Sequence, residues 1–212
     1  MKRIIIENNM AHFGEGFSGK TQKTLIIPNP SSIVGILENL YDIDKLNLQF
    51  NFGYFIEYSG KHFDFMSVKK DTHVNGTKKI RGELSKGKRD NMYFEYLNDV
   101  KLVIYTDIDK DLIIKEPLRL GSIKCLSTLT DYKDVELVEH KGYTYNQLAK
   151  VGYGDGIVRP SSTVTWFDDK KGYFDYIIQD FQECIEILNN ENYDEDLDVC
   201  INLFEYNNGK IK

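Results

Sequence analysis

Apolar residues along this chain recur with two different periods. In PNPSSIVGILENLY (Pro28 to Tyr41), Ile33, Ile36, Leu37, Leu40 and Tyr41 fall at helical spacing behind a proline and two serines. The pattern predicts a helix capped by Ser31 or Ser32. Gly35 within it costs about 1 kcal/mol relative to alanine, so a close neighbour is expected there. In YFDYIIQDFQECIEILNN (Tyr173 to Asn190), Phe174, Ile177, Ile178, Phe181, Ile185 and Leu188 lie on one stripe, predicting an amphipathic core helix over about 173–189.

Period-two segments predict strands. Arg3 to Glu7 opens the chain as one, Asn8 to Lys23 reads as a Gly-rich polar loop, and KTLII (Lys23 to Ile27) runs extended into PNP. LQFNFGYFIEY (Leu48 to Tyr58) and KHFDFMSV (Lys61 to Val68) alternate on either side of Ser59-Gly60 and read as a β-hairpin. The next stretch, about 69–92, has Asn75-Gly76 and Gly87 as turn signals and almost no core-forming residues, so it is expected to protrude as a second hairpin. VKLVIYTD (Val100 to Asp107), ELVEH, VTWFDD and VCINLFEY supply further strands, with GYGDG (Gly152 to Gly156) as a connector. This order fits an α+β fold of the ferredoxin or RNA-recognition type over 1–128, followed over 129–212 by an α/β extension that is β-rich and holds the one helix.

Charge changes this picture in one place. The chain has 212 residues and a net charge of −6, which argues against a generic nucleic-acid binder. Between Lys61 and Asp90, however, nine Lys or Arg stand against four acids, so the protruding hairpin is basic within an acidic protein. Neither an apolar stretch of membrane-spanning length nor a signal-peptide core is present, and a cytoplasmic location without membrane partners is expected. Cys125, Cys184 and Cys200 are widely spaced and odd in number, which suits reduced thiols better than disulfides or metal pairs. The acidic run at Asp194 to Asp198 lacks a calcium-loop pattern, and no metal or other cofactor is expected.

GEGFSGKT (Gly14 to Thr21) matches the letters of the phosphate loop of nucleotide triphosphatases. Such a loop must open a helix at its Lys-Thr, and QKTLIIPNP is β-branched and interrupted by Pro28 and Pro30. A nucleotide kinase or hydrolase therefore stands only as an alternative. The same glycines, Gly14, Gly16 and Gly19, let backbone approach a polynucleotide closely, with Lys20 and Lys23 supplying charge. Ser31 and Ser32 add hydroxyls to the N–H groups at the positive end of the first helix. Phe13 and Phe17 are candidates for base stacking as well as for the core.

MAHFGEGF (Met10 to Phe17), LIIPNPSSIVGILENLY, NMYFEYLNDVKLVIYTD and PLRLGSIKCLS, in this order and spacing, resemble the Cas five family of CRISPR-associated proteins, type I-B branch, in the RAMP superfamily. The match reaches about residue 128, and its most specific piece is P-x-P-S-S-x-x-G at the helix start. The resemblance implies a ferredoxin-like subunit of a hetero-oligomeric Cascade complex for antiviral defence. Such a subunit caps the 5′ handle of CRISPR RNA, contacts the backbone and large subunits, and uses its protruding hairpin as a thumb. It places His12 of the A-H-F motif near the RNA, Arg119 and Ser122 at a turn that approaches it, and Arg81, Lys86, Lys88 and Arg89 on the thumb.

Some relatives cleave the RNA precursor with a Tyr, a Lys and a His. Here His12, His62, His73 and His140 show no assembled constellation in the sequence, so the expectation is a non-catalytic RNA-binding subunit. A metal-independent endoribonuclease of the same fold is the second alternative.

Overall fold

The computed structural model describes residues 1–18, 20–43, 49–69, 89–114, 116–122, 124–152, 156–168, 173–207 and 210–211. The protein is mostly β, with one short helix and a curled mixed sheet. Its spine is β6 (Arg89–Thr106), 18 residues long. On one side it pairs antiparallel with β1 (Lys2–Ala11), from Lys2↔Thr106 to Ala11↔Leu97. On the other it pairs first with β4 (Gln49–Glu57), from Phe52↔Thr106 to Glu57↔Lys101, and then with β5 (Gly60–Lys69), from Gly60↔Asn98 to Lys69↔Arg89.

β4 and β5 therefore follow one register along β6 and do not pair with each other, which corrects the expected turn at Ser59-Gly60. The distortion there is local. Asp99 adopts a left-handed φ of 47°, and Ser59 Oγ donates to its carboxylate at 2.7 Å while the Ser59 N–H donates to Asn98 O at 2.9 Å. β5 and β6 pair as far as Lys69↔Arg89; the rest of the expected hairpin, residues 70–88, which include Arg81, Lys86 and Lys88, lies outside the described residues.

A continuous apolar run in a strand implies burial on both faces. Ile4, Ile5 and Ile6 of β1 show why this holds here. Ile4 and Ile6 face the helix side with Tyr54, Ile56, Leu102 and Ile104, whereas Ile5 faces the opposite side with Phe55, Val103 and Tyr105. The helix α1 (Pro30–Tyr41) covers the first face with Ile33, Val34, Leu37, Leu40 and Tyr41. Val199 and Ile201 cover the second.

The main sheet runs β14-β13-β4-β6-β1-β7, where β7 is Thr128–Asp134, β13 is Phe204–Asn207 and β14 is Lys210–Ile211. The sheet thus continues past residue 128 and takes its last strands from the chain's end. Between β6 and β7 no helix is present among the described residues, and α1 is the one helix that those residues form. No helix among the described residues is long and apolar enough to cross a membrane.

The second expected helix is a strand. β10 (Tyr173–Asn189) pairs with β8 (Gly142–Lys150) on one edge and β9 (Val158–Asp168) on the other. Its apolar spacing fits both periods, and its many Ile, Phe and Tyr favour a strand once both edges are paired. ELVEH forms only a bridge, Val138↔Tyr193, and β8 takes a strand position that the pattern did not mark. The final run splits into β12 (Val199–Cys200), paired with β11 (Tyr193–Asp194), and β13. Cys125, Cys184 and Cys200 are buried and form no disulfide.

One buried ion pair fastens the chain's end to its first strand. Arg3 is 4% exposed and donates to Asp194 at 2.8 Å, with Asp131 at 3.5 Å and Asp196 at 3.3 Å around it. Tyr105 also donates to Asp194, at 2.7 Å. Burial, with that bond to Asp194, pushes the Tyr105 hydroxyl far above its ordinary pKa, so it stays a donor.

Breaking such a pair strands a charge in the interior. Arg3→Met is expected to lower the unfolding free energy by about 3–5 kcal/mol, and Arg3→Met with Asp194→Asn to recover a large part of it. Urea denaturation of Arg3→Met, Asp194→Asn and the double variant checks this; single losses that simply add in the double variant would show that the pair is not coupled.

Candidate nucleic-acid interface

The letters of the phosphate loop form a β-hairpin. β2 (Gly14–Ser18) pairs antiparallel with β3 (Thr21–Thr24), and β3 pairs parallel with β6 through Thr21↔Tyr93 and Gln22↔Phe94. No helix follows Thr21 until Pro30, so the phosphate cradle that a triphosphatase needs is absent. The expected strand KTLII ends at Thr24, and the expected loop over Asn8 to Lys23 is largely strand.

The start of α1 also differs in detail from its expectation. Asn29 is the N-cap, with no side-chain capping bond, and Pro30 is the first helical residue. Ser31 and Ser32 therefore sit in the first turn rather than at the cap. Pro30 removes one N–H there, and the Ser32 N–H is held at 2.9 Å by Asn29 O. Gly35 has nothing within 4 Å of where a Cβ would stand, so it opens the helix surface instead of admitting a close neighbour.

Two strands hold the PNP turn from below. Tyr54 of β4, fully buried, donates to Pro28 O at 2.7 Å, and Arg159 of β9 donates to Ile27 O while its other terminal nitrogen lies 3.1 Å from Glu183 of β10. The sheet that follows residue 129 thus fixes where the first helix begins.

Two adjoining pockets, which share Phe13, Ser32 and Gly121, make a groove beside this helix start. Its first half, about 380 Å³, is lined by His12, Gly14, Gln22, Ser32, Phe94 and Ser122 among others. Its second half, about 510 Å³, shares Phe13, Ser32 and Gly121 and extends to Gly35, Glu38, Glu116 and Arg119. The structure thereby brings together His12, Gly14, Ser32, Arg119 and Ser122. Lys20 and Lys23 are exposed on the neighbouring hairpin. Gly16 contributes backbone to β2, Ser31 is half-buried in the first turn, and Gly19 lies outside the described residues. Arg89 is the first residue of β6; its side chain, like that of Phe17, lies outside what is described.

Glu38 and Glu116 belong to the second half, whereas no carboxylate among the described residues lines the first. The second half is therefore the less suited of the two to an anion. Backbone bonds make the His12 end rigid: His12 N–H donates to Leu120 O at 3.1 Å, Leu25 N–H to Phe13 O at 2.7 Å, and Phe13 N–H to Thr24 Oγ1 at 2.9 Å. Glu95 accepts from the Thr24 N–H at 3.1 Å and lies 3.4 Å from the Lys61 amine. Burial pushes the nearby Cys125 thiol and Tyr96 hydroxyl up.

Gln22 and Phe94 escaped the sequence pattern, whereas Gly121 is the turn glycine of the P-L-x-L-G stretch. Gly121 adopts φ 84°, and a Cβ there would stand 1.8 Å from His12 O. Gln22 and Phe94 reach the groove only because β3 docks on β6 in parallel. Phe13 is buried, and the exposed aromatic surface lies instead on the β5–β6 pair, where Phe65 and Tyr93 meet edge to face at 5.4 Å beside Phe63. Among the described residues no cluster of three or more His, Cys, Asp or Glu is placed to hold a metal ion.

No family model matches the chain, and no curated protein matches it in sequence. Among solved structures it is similar to a chain of a CRISPR RNA-guided surveillance complex, at 13% identity and TM-score 0.52, covering 92% of each chain. It is also similar to a chain of a type III-B Cmr-beta complex bound to cognate target RNA and AMPPnP, at 17% identity and TM-score 0.48, covering 90% of this chain and 86% of that one. The first likeness is one of fold.

The two groove glycines should respond oppositely to the same methyl group. Gly121→Ala is expected to destabilise by about 1–3 kcal/mol, because the residue is left-handed and meets backbone. Gly35→Ala is expected to stabilise by about 0.5–1 kcal/mol, since it is helical and open. Thermal and urea unfolding of both variants checks the pair of signs.

Proposed function

We propose that this chain is a non-catalytic, RNA-binding subunit of a CRISPR surveillance complex of the Cascade type, one that caps the 5′ handle of CRISPR RNA. The observation that carries this reading is the half-groove, lined by no carboxylate among the described residues, where His12, Gly14, Ser32 and Ser122 converge beside the first turn of α1. The hydroxyls of Ser32 and Ser122 beside the helix start suit phosphate, and the two lysines of the adjoining hairpin add long-range attraction. The similarity of fold to a surveillance-complex chain supports the same reading.

The acidic balance of the whole chain fits an RNA site completed by neighbours rather than one that binds alone. The exposed Phe63, Phe65 and Tyr93 on β5 and β6 offer flat faces to unpaired bases or to an adjoining subunit. In the finer assignment, the backbone and large subunits of the complex are the protein partners, and the protruding hairpin is the thumb that reaches them. CRISPR RNA is the nucleic-acid partner.

Cleavage is weighed by one further grouping. His12 and His62 flank the ring of Tyr96 at 5.4 and 5.5 Å, and these are residue types that a metal-independent ribonuclease uses. Tyr96 is 1% exposed, however, and burial raises its hydroxyl pKa, so its ring packs between the histidines without reaching a substrate.

Two outcomes check the proposal. The purified protein, incubated with precursor CRISPR RNA, is expected to leave it intact on a denaturing gel, and discrete cuts at the repeat would overturn the non-catalytic assignment. In the assembled complex, replacing Lys20 and Lys23 by alanine is expected to flatten the dependence of log affinity on log salt by about 0.7 for each phosphate that the lysines had neutralised. An unchanged slope would remove the hairpin from the interface.

A further inference from the structure

The groove half beside His12 holds one polar atom that phosphate binding does not use. His12 is 6% exposed, and its Nδ1 lies 2.7 Å from Glu95 O. A carbonyl oxygen can only accept, so Nδ1 carries a proton, and in the singly protonated ring Nε2 presents a lone pair. Nε2 is buried and has no hydrogen-bond partner. Buried side-chain nitrogens are paired in the great majority of cases, so this one calls for a partner that the isolated chain does not supply.

The surroundings point to where that partner enters. A Cβ on Gly14 would stand 3.6 Å from His12 Nε2 and 3.0 Å from Gln22 Nε2, so the absence of a side chain at Gly14 leaves space between an acceptor and a flexible amide. Phe94 packs edge-on to the histidine at 5.8 Å and lines the same cavity, as do Ser32 of the helix start and Ser122. The volume, about 380 Å³, is in the range of a small-ligand pocket. A phosphodiester has acceptors only and would be repelled by the lone pair. The required partner is a hydrogen-bond donor.

On the RNA-binding reading above, we propose that His12 Nε2 accepts a hydrogen bond from one nucleotide of the bound strand, through a base N–H or a ribose 2′-hydroxyl. The groove then has two chemistries a few residues apart. The helix start and lysines hold phosphate without regard to sequence, while the histidine reads a donor on one nucleotide. Gly14 keeps the approach open, and the amide of Gln22 moves aside when the nucleotide enters.

The test uses the complex assembled from the full chain and its partner subunits, and the RNA that co-purifies with it, sequenced and resynthesised. Its handle is made unmodified, with single 2′-deoxy substitutions, and with single bases lacking a ring N–H or an exocyclic amine. His12→Asn keeps an N–H for Glu95 O and has nothing at the Nε2 position. Gly14→Ala leaves the ring intact and fills the space beside it.

For the wild-type complex, deleting the donor at one nucleotide is expected to weaken binding about 5- to 30-fold. His12→Asn is expected to weaken binding of the unmodified RNA by a similar factor and to show no further loss with the donor-deleted RNA, and Gly14→Ala to do the same. A loss from a 2′-deoxy substitution assigns the sugar, and a loss from a base analogue assigns the base. The proposal is overturned if no single donor matters to the wild-type complex, or if the losses from His12→Asn and from donor deletion multiply. Should His12→Asn fail to fold, Gly14→Ala and the wild-type scan decide by the same criteria. Absence of any RNA binding by the wild-type complex would instead refute the functional reading on which the proposal rests.

Discussion

The rest of the structure depends on the unbroken pairing of β6. Its inner half is fixed between β1 and β4, where side chains on both faces are buried and a one-residue slip would exchange the two cores. The same hydrogen-bond register continues outward with β5, so the packed centre dictates how β5 is aimed. Phe94, Glu95 and Tyr96 lie just beyond the last pair that β6 makes with β1, which places them around His12. A distortion at Asp99 is absorbed without losing register.

The groove is built where that spine meets two other constraints. From one side, Tyr54 and Arg159 fix the PNP turn and hence the direction of the helix start. From the other, Leu120 and Gly121 press against the backbone of His12, closely enough that only a glycine fits. Functional side chains carried on a rigid scaffold need little reordering when a ligand arrives. Arg159 belongs to the C-terminal sheet, so that part of the chain contributes to the position of the site even though it lines little of it.

Parts of this were legible in the sequence. The helix from Pro30 to Tyr41 and the buried strands at Ile4, Phe55 and Val103 follow from apolar spacing, and the β-branched run with its proline pair already argues against the triphosphatase geometry. The residues of A-H-F, the helix start and the P-L-x-L-G turn do meet. Other features were decided by tertiary pairing, which local pattern does not encode. The run Tyr173 to Asn189 fits a helical stripe and a strand equally well until β8 and β9 claim its edges. Ser59-Gly60 has the residues of a turn, yet β6 is long enough to pair straight past it. Gln22 and Phe94 join the site through a parallel pairing of β3 with β6, segments far apart in the chain, which no local signal announces.

The most direct measurement is ultraviolet cross-linking and peptide mass spectrometry of the complex isolated from its host with its RNA bound. If the corner between His12, the first turn of α1 and Ser122 is where the strand lies, cross-linked nucleotides fall on the peptides carrying residues 12–14 and 119–122. Cross-links confined to the C-terminal sheet, with that corner protected by a protein neighbour, would contradict the account.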